Sequence, residues 1–191
     1  MNPMTVRQQV SLGLILAALM AVTRGQHVAL ATHLPDASLA VFFLAGVYLR
    51  PVWVFPALFG LAALIDTVAV TWGGVGAFCI TGAYAALIPA YGSLWAAGRW
   101  YAGRHRQAWS SLIPLTGAVL LGALVSEVCS TGGFYLFSGV FPDPILEGLA
   151  LGVAKYLPAS LGSLTLYLGL AALTHVAVSL VHPARAGAAH R

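Results

Sequence analysis

The chain has 191 residues, of which 60% are hydrophobic and only 7% charged, and its mean hydropathy is +0.89. A soluble domain carries about a quarter charged residues, so this composition excludes a water-covered globular fold and points to lipid as the main solvent. The net charge of +4 is modest and clustered, which suits a topology signal better than a nucleic-acid surface.

In chain order, the first apolar run, Val10 to Val22, lacks a cleavage site and reads as a membrane span rather than a signal peptide. It sits in a predicted helix from about Val6 to Gly25. A polar connection with His27, His33 and Pro35 follows. A short second helix is expected from Ala37 to Leu49, stopped by Arg50-Pro51. The third runs from Val52 to Val70 and ends at the glycine-rich turn Trp72 to Gly76. The fourth covers Phe78 to Trp100, with a kink expected at Pro89. The fifth covers Ser110 to Phe137, and Phe141 to Pro144 breaks the chain. The sixth lies within Ile145 to Leu180, which is long for one straight span, so its start up to Pro158 is expected as a separate interfacial or tilted piece. The tail 182–191 is small and polar and is expected to be a disordered cytoplasmic end of a single transmembrane domain, 1–191.

Six spans put Arg7, Arg50, Arg99, Arg104, Arg106, Arg185 and Arg191 on one side and leave Asp36, Asp143 and Glu147 in the loops of the other. That is a positive-inside pattern, with both termini cytoplasmic. A five-span chain would scatter the arginines over both faces. The fold class expected is therefore an all-α integral membrane protein of six transmembrane helices.

Four charged residues fall inside apolar segments: Arg24, Asp66, Glu127 and Lys155. Charge at membrane depth is costly and usually marks a polar interior. All four fall in the outer part of the bundle, with Cys79, Tyr84 and Cys129 at similar depth. An outward-facing polar cavity is expected there, against the blander alternative of two structural ion pairs. Their signs cancel, which suits a neutral or zwitterionic solute. Cys79, just after the glycine turn, offers a soft metal ligand, against the alternatives of an apolar filler or a disulfide with Cys129. On helix 1, Gly13, Ala17, Ala21 and Gly25 form a small-residue ridge, suited to a partner helix or to close internal packing.

Six short helices, the Ala17/Ala21 ridge and the stretch Asp66 to Tyr84 with its Trp72-Gly73-Gly74 turn and Cys79 resemble the substrate-binding S-components of energy-coupling factor vitamin transporters. The narrower resemblance is to BtuM-type cobalamin transporters of Gram-negative inner membranes. The resemblance implies cobalamin as transported ligand, with no cofactor of the protein's own and Cys79 as the cobalt ligand. It also implies Asp66 and Tyr84 in the pocket. Ala17 and Ala21 would dock an energy-coupling module, although BtuM-type proteins are thought to work without a dedicated one. Arg24, His27, Glu127, Tyr135 and Lys155 are further candidates for the corrin amides, and thiolate ligation suggests Cys79-dependent decyanation of cyanocobalamin. No phosphate loop is present, so any ATP coupling would come from another subunit.

Two alternatives stand beside this reading. One is an S-component-like transporter of another vitamin or of a metal ion. The other is an intramembrane enzyme, for which Ser93, Ser126, Ser160 and Ser163 lack a nucleophile elbow and His175 is the one histidine within an apolar segment.

Overall fold

The computed structural model describes residues 4–24, 34–72, 82–106, 108–139 and 146–181. Among them every regular element is helical: α1 (Val6–Arg24), α2 (Ser38–Tyr48), α3 (Val54–Trp72), α4 (Leu87–Ala102), α5 (Leu112–Phe137) and α6 (Leu146–Val181). Short 3-10 turns, Gly82–Ala86 and Trp109–Ser111, lead into α4 and α5. Four stretches, Val6–Arg24, Val54–Trp72, Trp109–Phe137 and Leu146–Ala177, are long and apolar enough to cross a membrane. The chain thus has the build of an all-α, multi-pass membrane protein.

α2 forms the centre. Its residues from Ala40 to Gly46 are all buried, and Val41, Phe42 and Phe43 are the largest of its closed-off side chains. α1, α3, α4 and α6 surround it. Lipid is as apolar as these side chains, so burial away from water does not drive the association; close van der Waals packing must. The α2–α4 contact achieves that with two glycines. A Cβ on Gly46 would land on the Trp95 carbonyl, and one on Gly98 on the Phe43 carbonyl. The two backbones therefore touch, and Phe42 stacks on Tyr91 at 4.5 Å between ring centroids. α5 repeats the device: a Cβ on Gly133 would overlap Ala86 at the turn before α4.

The bundle has two distinct ends. At one, Arg99 donates to the Leu49 and Arg50 carbonyls at 3.1 and 2.5 Å, while the Arg50 backbone N–H donates to the Gln9 side chain at 3.2 Å. Arg104 lies over the Trp100 ring at 4.0 Å. His105 meets the Tyr101 hydroxyl at 2.8 Å; burial, with repulsion from His175, holds its imidazole below the usual value. The other end gathers Arg24, Asp36, Asp66, Tyr84 and Tyr91.

Two expectations are corrected. α6 is one continuous helix through Pro158, about 54 Å long at 1.5 Å per residue, so its start is not a separate piece; proline is tolerated where neighbouring helices and hydroxyl side chains satisfy the freed backbone groups. Pro89 lies in the first turn of α4, which begins at Leu87 after the 3-10 turn Gly82–Ala86, so it stands at a helix start, where proline is tolerated, rather than at a mid-helix kink. The ridge of α1 is divided: Ala17 packs on the core and Gly13 approaches Leu49, whereas Ala21 is exposed. Gly25 and the tail 182–191 lie outside the described residues.

Candidate solute-binding site

Arg24 ends α1 and is the hub of the site. Its Nε and Nη2 donate to the two oxygens of Asp66 on α3, both at 2.7 Å, the forked geometry that makes arginine–carboxylate pairs strong. Its Nη1 donates to the Tyr91 hydroxyl of α4 at 2.7 Å and to Ser38 Oγ of α2 at 3.0 Å. The same nitrogen reaches Asp36 at a longer 3.4 Å. One guanidinium thus ties together four helices. The side chain is 12% exposed and that of Asp66 is 20% exposed, so the pair is shielded from bulk solvent but open on one side.

The surrounding groups hold this hub in place. Tyr84, in the turn before α4, donates to Asp66 Oδ2 at 2.8 Å. Asp36 accepts from the Ser38 backbone N–H and hydroxyl at 3.0 and 2.7 Å, which fixes the entry to α2. Thr23 Oγ1 accepts from the Ala37 N–H at 3.1 Å, and Tyr167 of α6 donates to the Pro35 carbonyl at 2.6 Å.

Beside these groups lies a cavity of about 410 Å³, lined by Arg24, Asp36, Asp66 and Tyr84 on its polar side and by Val70 and Phe134 among its apolar residues. That volume falls in the range of small-molecule sites. All three nitrogens of Arg24 donate to the protein's own acceptors, so most of its donor capacity is already engaged and little is left for an anionic solute. Asp66 and Asp36 outnumber Arg24 by one negative charge. The lining therefore favours neutral or cationic solutes that donate hydrogen bonds.

The structure brings together Arg24, Asp66 and Tyr84 from the sequence-based candidates and places Glu127, Tyr135 and Lys155 elsewhere. Glu127 is 7% exposed and sits on the α5–α6 seam, accepting from Thr131 Oγ1 at 2.6 Å and Ser160 Oγ at 2.7 Å. Lys155 is exposed on α6, its ammonium 5.2 Å from the Tyr156 ring. The Tyr135 hydroxyl lies where a Cβ on Gly148 would be, so it packs the start of α6 rather than lining the cavity. Cys129 is half-buried on α5. Cys79, His27 and His33 lie outside the described residues, among which no group of three metal-ligating side chains occurs. Sequence reasoning missed Asp36, Ser38 and Tyr91 as site residues. Tyr91 follows Tyr84 by seven positions, two helical turns, and that shared face was the available signal.

Fold and cavity together define a helical membrane protein with a polar pocket at one end of an apolar bundle. No family model and no curated protein matches the chain.

Proposed function

We propose that this protein binds cobalamin in an outward-facing cavity and carries it across the cytoplasmic membrane, with Cys79 as the ligand of the cobalt. The observation that carries the transport reading is the Arg24–Asp66–Tyr84 cluster lining a cavity of about 410 Å³ within an apolar bundle. Such polar groups are costly at membrane depth and usually serve a solute path. The corrin periphery is rich in amides, whose N–H groups suit the spare lone pairs of Asp36 and Asp66.

Cys79 belongs to this picture through the chain itself. It stands four residues before Ala83, which lines the cavity, so full extension keeps it within about 14 Å of that wall. A corrinoid is larger than the cavity formed by the described residues, so other parts of the chain would have to share in enclosing it. The resemblance to BtuM-type transporters supplies the metal ligation. A cobalt–sulfur bond would form with the thiolate's lone pair, and an upper cyanide would leave with the pair that bound it, so decyanation needs no oxidant or reductant.

In this reading all six helices cross the membrane, and the end carrying Arg50, Arg99, Arg104 and Arg106 faces the cytoplasm together with both termini. Of the α1 ridge, the exposed Ala21 is the proposed contact for a coupling module, Ala17 being packed on the protein's own core.

The purified protein mixed with cyanocobalamin should turn red to orange and show a shifted absorption spectrum. In Cys79→Ala the shift and the slow loss of cyanide should disappear. A wild-type spectrum identical to that of free cyanocobalamin would overturn the metal ligation.

The cavity volume favours a second reading, an S-component-like transporter of a smaller vitamin or a metal ion. A colourless preparation that binds such a solute tightly, with Asp66→Asn abolishing the binding, would establish it instead.

A further inference from the structure

Glu127 is the one carboxylate among the described residues that is almost fully buried, and it has no ion-pair partner there. Its oxygens meet two hydroxyls: Thr131 one turn along α5 and Ser160 across the seam on α6. The charged and titratable groups on the packed neighbours are engaged or placed elsewhere. On the α4 side, Tyr84 and Tyr91 bond Asp66 and Arg24, Arg99 bonds backbone carbonyls, and Tyr101 meets His105. On α6, Lys155 and Tyr156 contact each other and are exposed, as are Glu147 and His175, while Tyr167 bonds Pro35. On α5 itself, Cys129 is half-buried and Tyr135 packs at Gly148.

We propose that Glu127, with Thr131 and Ser160, is a proton-binding site within the α5–α6 seam. A lone buried carboxylate needs a cation to neutralise it. The oxygen–oxygen spacings of 2.6 and 2.7 Å are those of short hydrogen bonds to a carboxyl group. A proton from water adds to one carboxylate oxygen, which then donates to the Ser160 oxygen. The serine hydrogen turns to a carbonyl of the preceding turn of α6, as serine in helices commonly does. Every polar group stays paired in both states, so the proton can come and go without breaking the seam.

Ser130, one helical turn on, lines the cavity and donates to the backbone carbonyl of Glu127 at 3.3 Å, while the carboxyl itself faces the α5–α6 seam. The inference rests on the membrane-embedded bundle and not on cobalamin as the solute.

The test uses the full chain in lipid nanodiscs and infrared spectroscopy across a pH series. A protonated-carboxyl band that titrates as one group should be present in wild type and in Cys79→Ala and absent from Glu127→Gln. The Gln variant keeps both seam hydrogen bonds and should fold as wild type by thermal unfolding. Ser160→Ala should shift the band without removing it. Persistence of the band in Glu127→Gln, or its absence from wild type at every pH, would overturn the proposal. So would a rise in unfolding temperature with sodium chloride, but not potassium chloride, that Glu127→Gln abolishes, because that assigns the site to a metal ion. Loss of cobalamin binding with this band intact would instead fall on the proposed function alone.

Discussion

Among the described residues, the Arg24 cluster and Glu127 show buried charge treated in opposite ways. At the cavity, Arg24 is matched by a forked carboxylate, a second acid and two further hydroxyls. On the α5–α6 seam, Glu127 has hydroxyls only. The first arrangement is an ion pair held through both carboxylate oxygens. The second is a carboxyl whose hydroxyl contacts would persist through the proposed proton binding. Burial alone therefore does not define a role; the identity of the neighbouring partner does.

The same carboxylate-to-amide change should separate the two sites. Asp66→Asn strands a buried guanidinium and should cost about 3–5 kcal/mol, read as a large fall in unfolding temperature in a fixed detergent. Glu127→Gln should cost less than about 1 kcal/mol, because both hydroxyl contacts survive; an equal loss at the two positions would break the contrast. Tyr84→Phe removes one hydrogen bond to a charged acceptor and should lie between, at about 1.5–3 kcal/mol. Asp36→Asn should cost under about 1 kcal/mol in the same assay, since its side chain is 48% exposed and its contact to Arg24 is long. The smallest effect belongs to His105. Its imidazole is held below the usual value, so its contribution is complete above the unfolded-state value near pH 6.5 and declines as pH falls through that value toward the folded one. His105→Gln should flatten that small acid-side loss in a pH series of unfolding temperatures.

The lengths and polarity of α1, α3 and α5 were legible in sequence because an apolar run of about twenty residues has few other physical outcomes. Depth was legible too: Arg24 and Asp66 were placed near one end of the bundle by their distance along the helix, and they meet there. Azimuth was not. Glu127 has a similar calculated depth, but its direction around α5 points it to α6, and only packing sets that rotation. Lys155 was grouped with the cavity for the same reason, although its long side chain lies exposed along Tyr156. Asp36 read as a loop acid because nothing local shows that the entry to α2 is folded against the end of α1. The continuity of α6 through Pro158 was hidden because whether a proline breaks a membrane helix is set by its surroundings in the fold and not by the local sequence.

The closed surroundings of α2 bear on how the protein is made. An eleven-residue helix rises only about 16 Å, roughly half a hydrocarbon core, and here its flanks meet protein on nearly every side. Such a segment is apolar enough for lipid but too short to cross the hydrocarbon core by itself. Its entry during synthesis would depend on α1 and α3 arriving with it, and the Gly46–Gly98 crossing could close only after α4 emerged. The centre of the bundle would then be the last part to become secure, though it is among the first to be translated.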